Sequence, residues 1–250
     1  MAPDGNDQEL GKELSIFHLL GAEVFDSESF FSDDFEISAD SAGFYQRLYP
    51  RWGKRCLDLF FAVLLLPLIL PVLAILALLL LLEGGKPFFG QARVGRGGRP
   101  FHCWKLRTMV PDAEARLRAL LESDQTIQQE WDAHQKLRDD PRITPLGSFL
   151  RKSSLDELPQ IFNVLKGEMS LVGPRPFMLD QQEAYDAEGG RKYYLLRPGI
   201  TGPWQVTERN DSVFSTRVLY DERYANSVSL AADLRIILAT CVVVLRNTGH

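Results

Sequence analysis

The sequence predicts an α+β fold, mainly α, fastened to a membrane, with one small β-hairpin and amphipathic helices at the interface. Three observations carry this. The stretch from Leu59 to Leu82 is uncharged and roughly long enough to cross a hydrocarbon core as a helix. Two short β-prone runs around a glycine-rich turn follow it, and the remainder reads as helices joined by turn-rich connectors. At 250 residues, with 45% hydrophobic and 24% charged residues, the chain can bury a core.

Charge is segregated. Residues 1–50 carry 11 acids against Lys12 and Arg47, a net of −9, while the whole chain is −5, so residues 51–250 carry +4. A mildly basic body suits work near phosphates or anionic lipid. Residues 1–45 show no signal peptide and read as an acidic, disordered, solvated head. A partner-binding segment that folds on contact is the sharper alternative. Cys56, Cys103 and Cys241 match no metal spacing, which favours buried reduced thiols over a disulfide framework.

Residues 46–86 form the membrane segment. Pro67 and Pro71 lie near its middle, and each removes an intrahelical donor and clashes one turn back. Basic residues flank both sides: Arg47, Arg51, Lys54 and Arg55 before it, Lys86, Arg93, Arg96 and Arg99 after it. One crossing fits that symmetry poorly, because Lys and Arg prefer the cytoplasmic side. A helix–break–helix that enters and returns fits it better, and the residues alone leave both topologies open.

Residues 87–250 form the third unit. "PFFGQARV" and "PFHCWKLRT" around "GRGGR" predict a β-hairpin. Residues 111–138 read as two helices with Ala115, Leu117, Leu120 and Leu121 on the apolar face. A further helix follows "LRKSS" and ends at Gly167. "YYLLRPGITGPWQVTERND" reads as loop with a short extended piece, and Ser229 to Arg246 as a last helix with a wide apolar surface.

Asp156 and Glu157 precede Pro159. Proline is comfortable in the first turn of a helix, which places the helix start at Ser154 to Asp156 and the acids at its N-terminus. Ser154-Leu155-Asp156-Glu157 is also a capping-box pattern, so capping alone would explain them. The neighbourhood is cationic, with Arg151 and Lys152 upstream, Arg175 in the turn after the helix, and Lys105 and Arg107 from the hairpin. Paired carboxylates among such cations could hold Mg²⁺ and a diphosphate together, since Mg²⁺ shares its shell with substrate phosphates and arginine binds phosphate bidentately.

Four segments in order, "KRCLDLFFAVLLL", "FFGQARVGRGGRPFHCWKLRTM", "LRKSSLDELPQIFNVLKGEMSLVGPRP" and "RPGITGPWQV", make residues 54–247 resemble the bacterial sugar transferases, the polyprenol-phosphate hexose-1-phosphate transferases. The long insert before Asp156 resembles their galactose- and glucose-phosphate branch. The resemblance implies a monotopic enzyme with a proline-broken re-entrant helix at the cytoplasmic face of the bacterial inner membrane. It implies Mg²⁺-dependent transfer of hexose-1-phosphate, galactose before glucose, from a UDP-hexose to undecaprenyl phosphate with release of UMP. Asp156 matches the family's nucleophile, Glu157 its metal-linked acid, and Arg151 and Arg175 its phosphate contacts. Leu66-Pro67 and Leu70-Pro71 stand where many members have Ser-Pro, and Glu208 stands for a usual glycine. Partners implied are the UDP-hexose, undecaprenyl phosphate and the bilayer, with no nucleic acid and with a homodimer left open. The rival reading is a non-catalytic membrane scaffold, which leaves the acid pair unexplained.

Overall fold

In the computed structural model, residues 49–134, 137–207 and 214–245 are described, and the acidic head and Glu208 lie outside them. A single π-helical turn, Tyr49–Gly53, leads into α1, Lys54–Leu82. The hairpin follows as β1, Phe88–Val94, and β2, Pro100–Leu106, paired antiparallel from Phe88 against Leu106 to Val94 against Pro100. Then come α2, Ala113–Ser123; α3, Gln125–His134; α4, Pro145–Lys152; and α5, Gln160–Lys166. β3, Ser170–Val172, is followed by α6, Gln182–Ala187, and β4, Gly199–Thr201. The chain closes through α7, Pro203–Thr207; α8, Phe214–Ser227; and α9, Leu230–Leu245. The α+β, mainly helical class holds.

The expected break in the apolar segment is not there: α1 is helical throughout its 29 residues, with Pro67 and Pro71 inside it. Packing explains the continuity. Lys54, Asp58, Ala62, Leu73, Leu76 and Leu80 are buried, and Leu66 and Ile69 are partly covered between them, so one helical stripe faces the body from end to end. That stripe holds the helix in register across the two missing N–H donors. Its near half packs on Phe101, Cys103 and Ile161, its far half on Leu106 and Leu150. The opposite face exposes Phe60, Val63, Leu64, Leu68, Ile75, Leu78 and Leu82.

The N-terminal end of α1 is locked by buried charge. Lys54 Nζ lies 2.6 Å from Asp233 Oδ2 on α9, and the Tyr49 and Tyr224 hydroxyls donate to the same carboxylate at 2.6 Å each. Asp58 accepts from the Ser170 hydroxyl and the Leu171 N–H, both at 2.9 Å. At the other end Arg107 donates to the Leu80 carbonyl at 2.8 Å.

The extended piece expected before "TGPWQV" is β4, and it pairs in parallel with β3, Ser170 against Gly199 and Val172 against Thr201. The two strands need glycines where they meet. A Cβ on Gly199 would stand 2.2 Å from the Gly173 nitrogen, closer than any side chain can approach, and this couples the "VGPRP" and "RPGITG" motifs. All three cysteines are free. Cys103 is buried as expected, whereas Cys56 and Cys241 are exposed because they fall on the outer faces of α1 and α9.

Candidate active site

Asp156 and Glu157 occupy a 3-10 turn, Leu155–Glu157, ahead of α5, not the first α-helical turn. Pro159 takes the N-cap position with helical φ and ψ. Its tolerance for a first turn is therefore met, but by a tighter spiral whose last bonds run from the Leu158 N–H to Leu155 and from Ile161 to Leu158. The capping box is not formed. Ser154 is left-handed at φ 56°, the one non-glycine residue with positive φ among those described, and its side chain makes no cap bond. Such backbone is costly for a residue with a side chain and is found where a site needs it.

The carboxylates turn to the hairpin instead. Lys105, on β2, places Nζ 2.7 Å from Glu157 Oε1 and 3.4 Å from Asp156 Oδ2. A buried side chain sets this distance: Asn163 on α5 accepts from the Trp104 N–H at 3.0 Å and donates to the His102 carbonyl at 2.7 Å. It thus pins α5 to the strand edge one residue from Lys105. Asn163 was not singled out from sequence, since an asparagine inside an apolar run carries no signal by itself.

Arg175, in the turn after β3, reaches Glu157 Oε1 at 3.8 Å. Arg151, at the end of α4, donates Nε to Thr108 Oγ1 at 2.8 Å, and its charge acts on Asp156. Burial pushes the Asp156 carboxyl above the usual carboxylate range; Lys105 and Arg151 pull it down while Glu157 adds to the rise. Arg151 is itself pulled down by burial, with Asp156 opposing.

The structure therefore brings together Asp156, Glu157, Lys105, Arg151 and Arg175. It does not bring Arg107, whose guanidinium is committed to the carbonyls of Leu80 at 2.8 Å and Lys86 at 3.3 Å, with Glu83 at 3.9 Å. Two further arginines lie against the Arg175 turn: Arg93, read from the sequence only as a basic flank of the apolar segment, and Arg217, which nothing in its local sequence marks. Among the described residues no three acidic, histidine or cysteine side chains cluster as a metal site. A carboxylate pair still fits Mg²⁺, which commonly takes one or two protein carboxylates and completes its shell with water and substrate phosphate.

The family description "Bacterial sugar transferase" matches residues 49–247. The UDP-galactose-lipid carrier transferase of Erwinia amylovora is 46% identical over 199 residues, covering 80% of this chain and 42% of that relative. The exopolysaccharide production protein ExoY of Sinorhizobium fredii is 43% identical over 199 residues, covering 79% and 87%. The UDP-glucose:undecaprenyl-phosphate glucose-1-phosphate transferase of Escherichia coli is 37% identical over 195 residues, covering 75% and 39%. The chain thus spans less than half the length of the Erwinia and Escherichia relatives and most of the Sinorhizobium one.

Proposed function

The chain belongs to the bacterial sugar transferase family, and from that membership we propose that it transfers hexose-1-phosphate from a UDP-hexose to undecaprenyl phosphate, releasing UMP, as the initiating step of exopolysaccharide, capsule or O-antigen synthesis. The names of its relatives support galactose and then glucose as the sugar. One observation carries the chemistry: an adjacent carboxylate pair faces Lys105, with Arg151 and Arg175 at its margins.

In the proposed mechanism an ionised oxygen of Asp156 attacks the β-phosphorus of the UDP-sugar. The new O–P bond forms as the bond to the bridging oxygen breaks, and its electron pair leaves with UMP. A phosphate oxygen of undecaprenyl phosphate then attacks the same phosphorus, returning the carboxylate and forming the lipid diphosphate sugar. Lys105 keeps Asp156 ionised against its burial, and Arg151 and Arg175 face the oxygens over which charge spreads. Glu157 with Asp156 would hold Mg²⁺, which when bound supplies neutralising charge to the diphosphate.

The membrane arrangement we propose is monotopic, at the cytoplasmic face of the inner membrane. A continuous helix of 29 residues has a contour of roughly 43 Å, enough to span a bilayer. Yet α1 buries its stripe against the body at both ends, which favours a helix that dips in and stays attached over one that leaves the body to cross.

The test is UMP release from a panel of UDP-sugars with undecaprenyl phosphate and Mg²⁺. UDP-galactose should be turned over best and UDP-glucose next; a scaffold would release no UMP. Without lipid acceptor, a phosphosugar adduct should appear on the intact protein by mass spectrometry and be absent from Asp156→Asn. An Asp156→Asn protein that still forms the adduct removes Asp156 from the chemistry.

A further inference from the structure

Three arginines from separate parts of the chain surround the turn at residues 173–177. Arg175 is the turn's own, reaching Glu157 at 3.8 Å with a side chain 39% exposed. Arg93 on β1 donates Nη1 to the Pro176 carbonyl at 3.3 Å and Nη2 to Gln91 Oε1 at 2.6 Å. Arg217 on α8 is buried, its guanidinium carbon 5.5 Å from the Phe177 ring centroid and 5.8 Å from that of Trp204. Asp221 stands 3.9 Å from Arg217 Nε, and its carboxylate also accepts from the Tyr185 hydroxyl at 2.9 Å.

Gathering like charges under a buried turn opposes folding unless something repays it. Burial lowers the pKa of both Arg93 and Arg217, and the charge of Arg175 lowers each further. Among the described residues Lys105, Arg93, Arg151, Arg175 and Arg217 gather around Asp156, Glu157 and Asp221. Such a concentration of positive charge suits a diphosphate, whose transfer rests on electrostatic stabilisation of its oxygens.

Building on the proposed donor, we infer that Arg93 and Arg217 are positioning residues for the diphosphate. From the buried side of the turn they hold the Arg175 guanidinium out towards the acid pair, and they add a positive field that water screens little. Neither touches the reacting phosphorus. Their role is to keep Arg175 placed and the seat anion-selective.

The experiment measures binding of UDP, uridine and inorganic pyrophosphate to the full chain in detergent over a range of salt. Arg93→Gln and Arg217→Gln should each weaken UDP and pyrophosphate by about tenfold, leave uridine unchanged and flatten the salt dependence. Arg217→Lys, which keeps the charge, should recover most of the affinity, and thermal melts identify a variant that has merely unfolded. Equal weakening of uridine and UDP, unaltered UDP affinity in both glutamine variants, or no pyrophosphate binding by the unaltered protein overturns the inference. Arginine-dependent pyrophosphate binding by a protein that turns over no UDP-sugar would uphold the seat and sink the proposed donor.

Discussion

Lys105 holds Glu157 at 2.7 Å and stands farther, at 3.4 Å, from the neighbouring Asp156. The tighter bond goes to the acid assigned to the metal, and the looser one to the acid assigned to attack. In the proposed mechanism an ammonium in this position would restrain Glu157 while leaving Asp156 access to phosphorus, and it also offsets the burial that raises the Asp156 pKa.

Replacing Lys105 should therefore move a pH profile. In the proposed mechanism attack needs ionised Asp156, so activity should rise with pH through its raised pKa. Lys105 is the largest influence lowering that pKa, and Lys105→Gln should shift the acid limb of kcat/KM to higher pH. Turnover at neutral pH should fall by about a hundredfold, and Lys105→Arg should restore part of it. UMP release measured across pH decides this, and a limb that stays in place would show that Lys105 does not control Asp156.

Gly147 admits no side chain. A Cβ there would stand 1.9 Å from the Thr108 carbonyl oxygen, and the same Thr108 receives the Arg151 guanidinium through its hydroxyl. Gly147→Ala should force α4 away at a cost of about 3 kcal/mol and carry Arg151 with it. Thr108→Val, which keeps the shape and removes the hydroxyl, should cost about 1 kcal/mol and lower activity several-fold. Chemical denaturation alongside UMP release separates the two losses.

Asp233 gathers Lys54 and the hydroxyls of Tyr49 and Tyr224 in a nearly dry setting. Asp233→Ala strips a buried ammonium of its hydrogen-bonded carboxylate, leaving only the charge of Asp58 to face it, and should destabilise by about 3 kcal/mol. The thermal midpoint in detergent should fall accordingly. A loss under about 1 kcal/mol would mean that water reaches Lys54 and that the lock is weaker than a buried pair.

The topology makes its own prediction. Cysteines replacing Trp52 and Lys86, which flank α1 and are exposed, should both label from the cytoplasmic side. Because α1 is already continuous and is held by its buried stripe, Pro67→Leu with Pro71→Leu, which restores two ladder donors and improves helix propensity, should leave both labels on the cytoplasmic side. Opposite-side labelling of positions 52 and 86 in a protein that keeps both prolines would refute the monotopic arrangement.

What could be read in advance followed local rules. The hairpin was legible because Gly95–Arg99 separates two β-prone runs, and Gly167 was legible as a helix stop because its φ of 84° suits glycine. Pro159 showed that a spiral begins upstream but not which kind, since proline's missing N–H is tolerated equally in a 3-10 turn. Pro67 and Pro71 misled because proline rules describe an isolated helix, whereas α1 is held by Leu73, Leu76 and Leu80 on a surface that the sequence of α1 does not contain. Arg107 follows Lys105 by two residues, yet its long side chain finds the Leu80 carbonyl. Arg217 lies 42 residues after Arg175 in the numbering, and only the tertiary fold makes them neighbours.

The buried stripe of α1 bears on how this protein could be handled or could have arisen. Ala62 and Leu80 are wholly covered, and each sits in a cluster with residues of the hairpin or of α4 and α5. The proposed anchor and the core wall are one helix. Deleting it to obtain a water-soluble catalytic fragment would open two hydrophobic clusters at once and strand Asp233 without Lys54. In the membrane arrangement proposed above, attachment would then be a condition of folding rather than an accessory, with lipid or detergent covering the outer face of that helix.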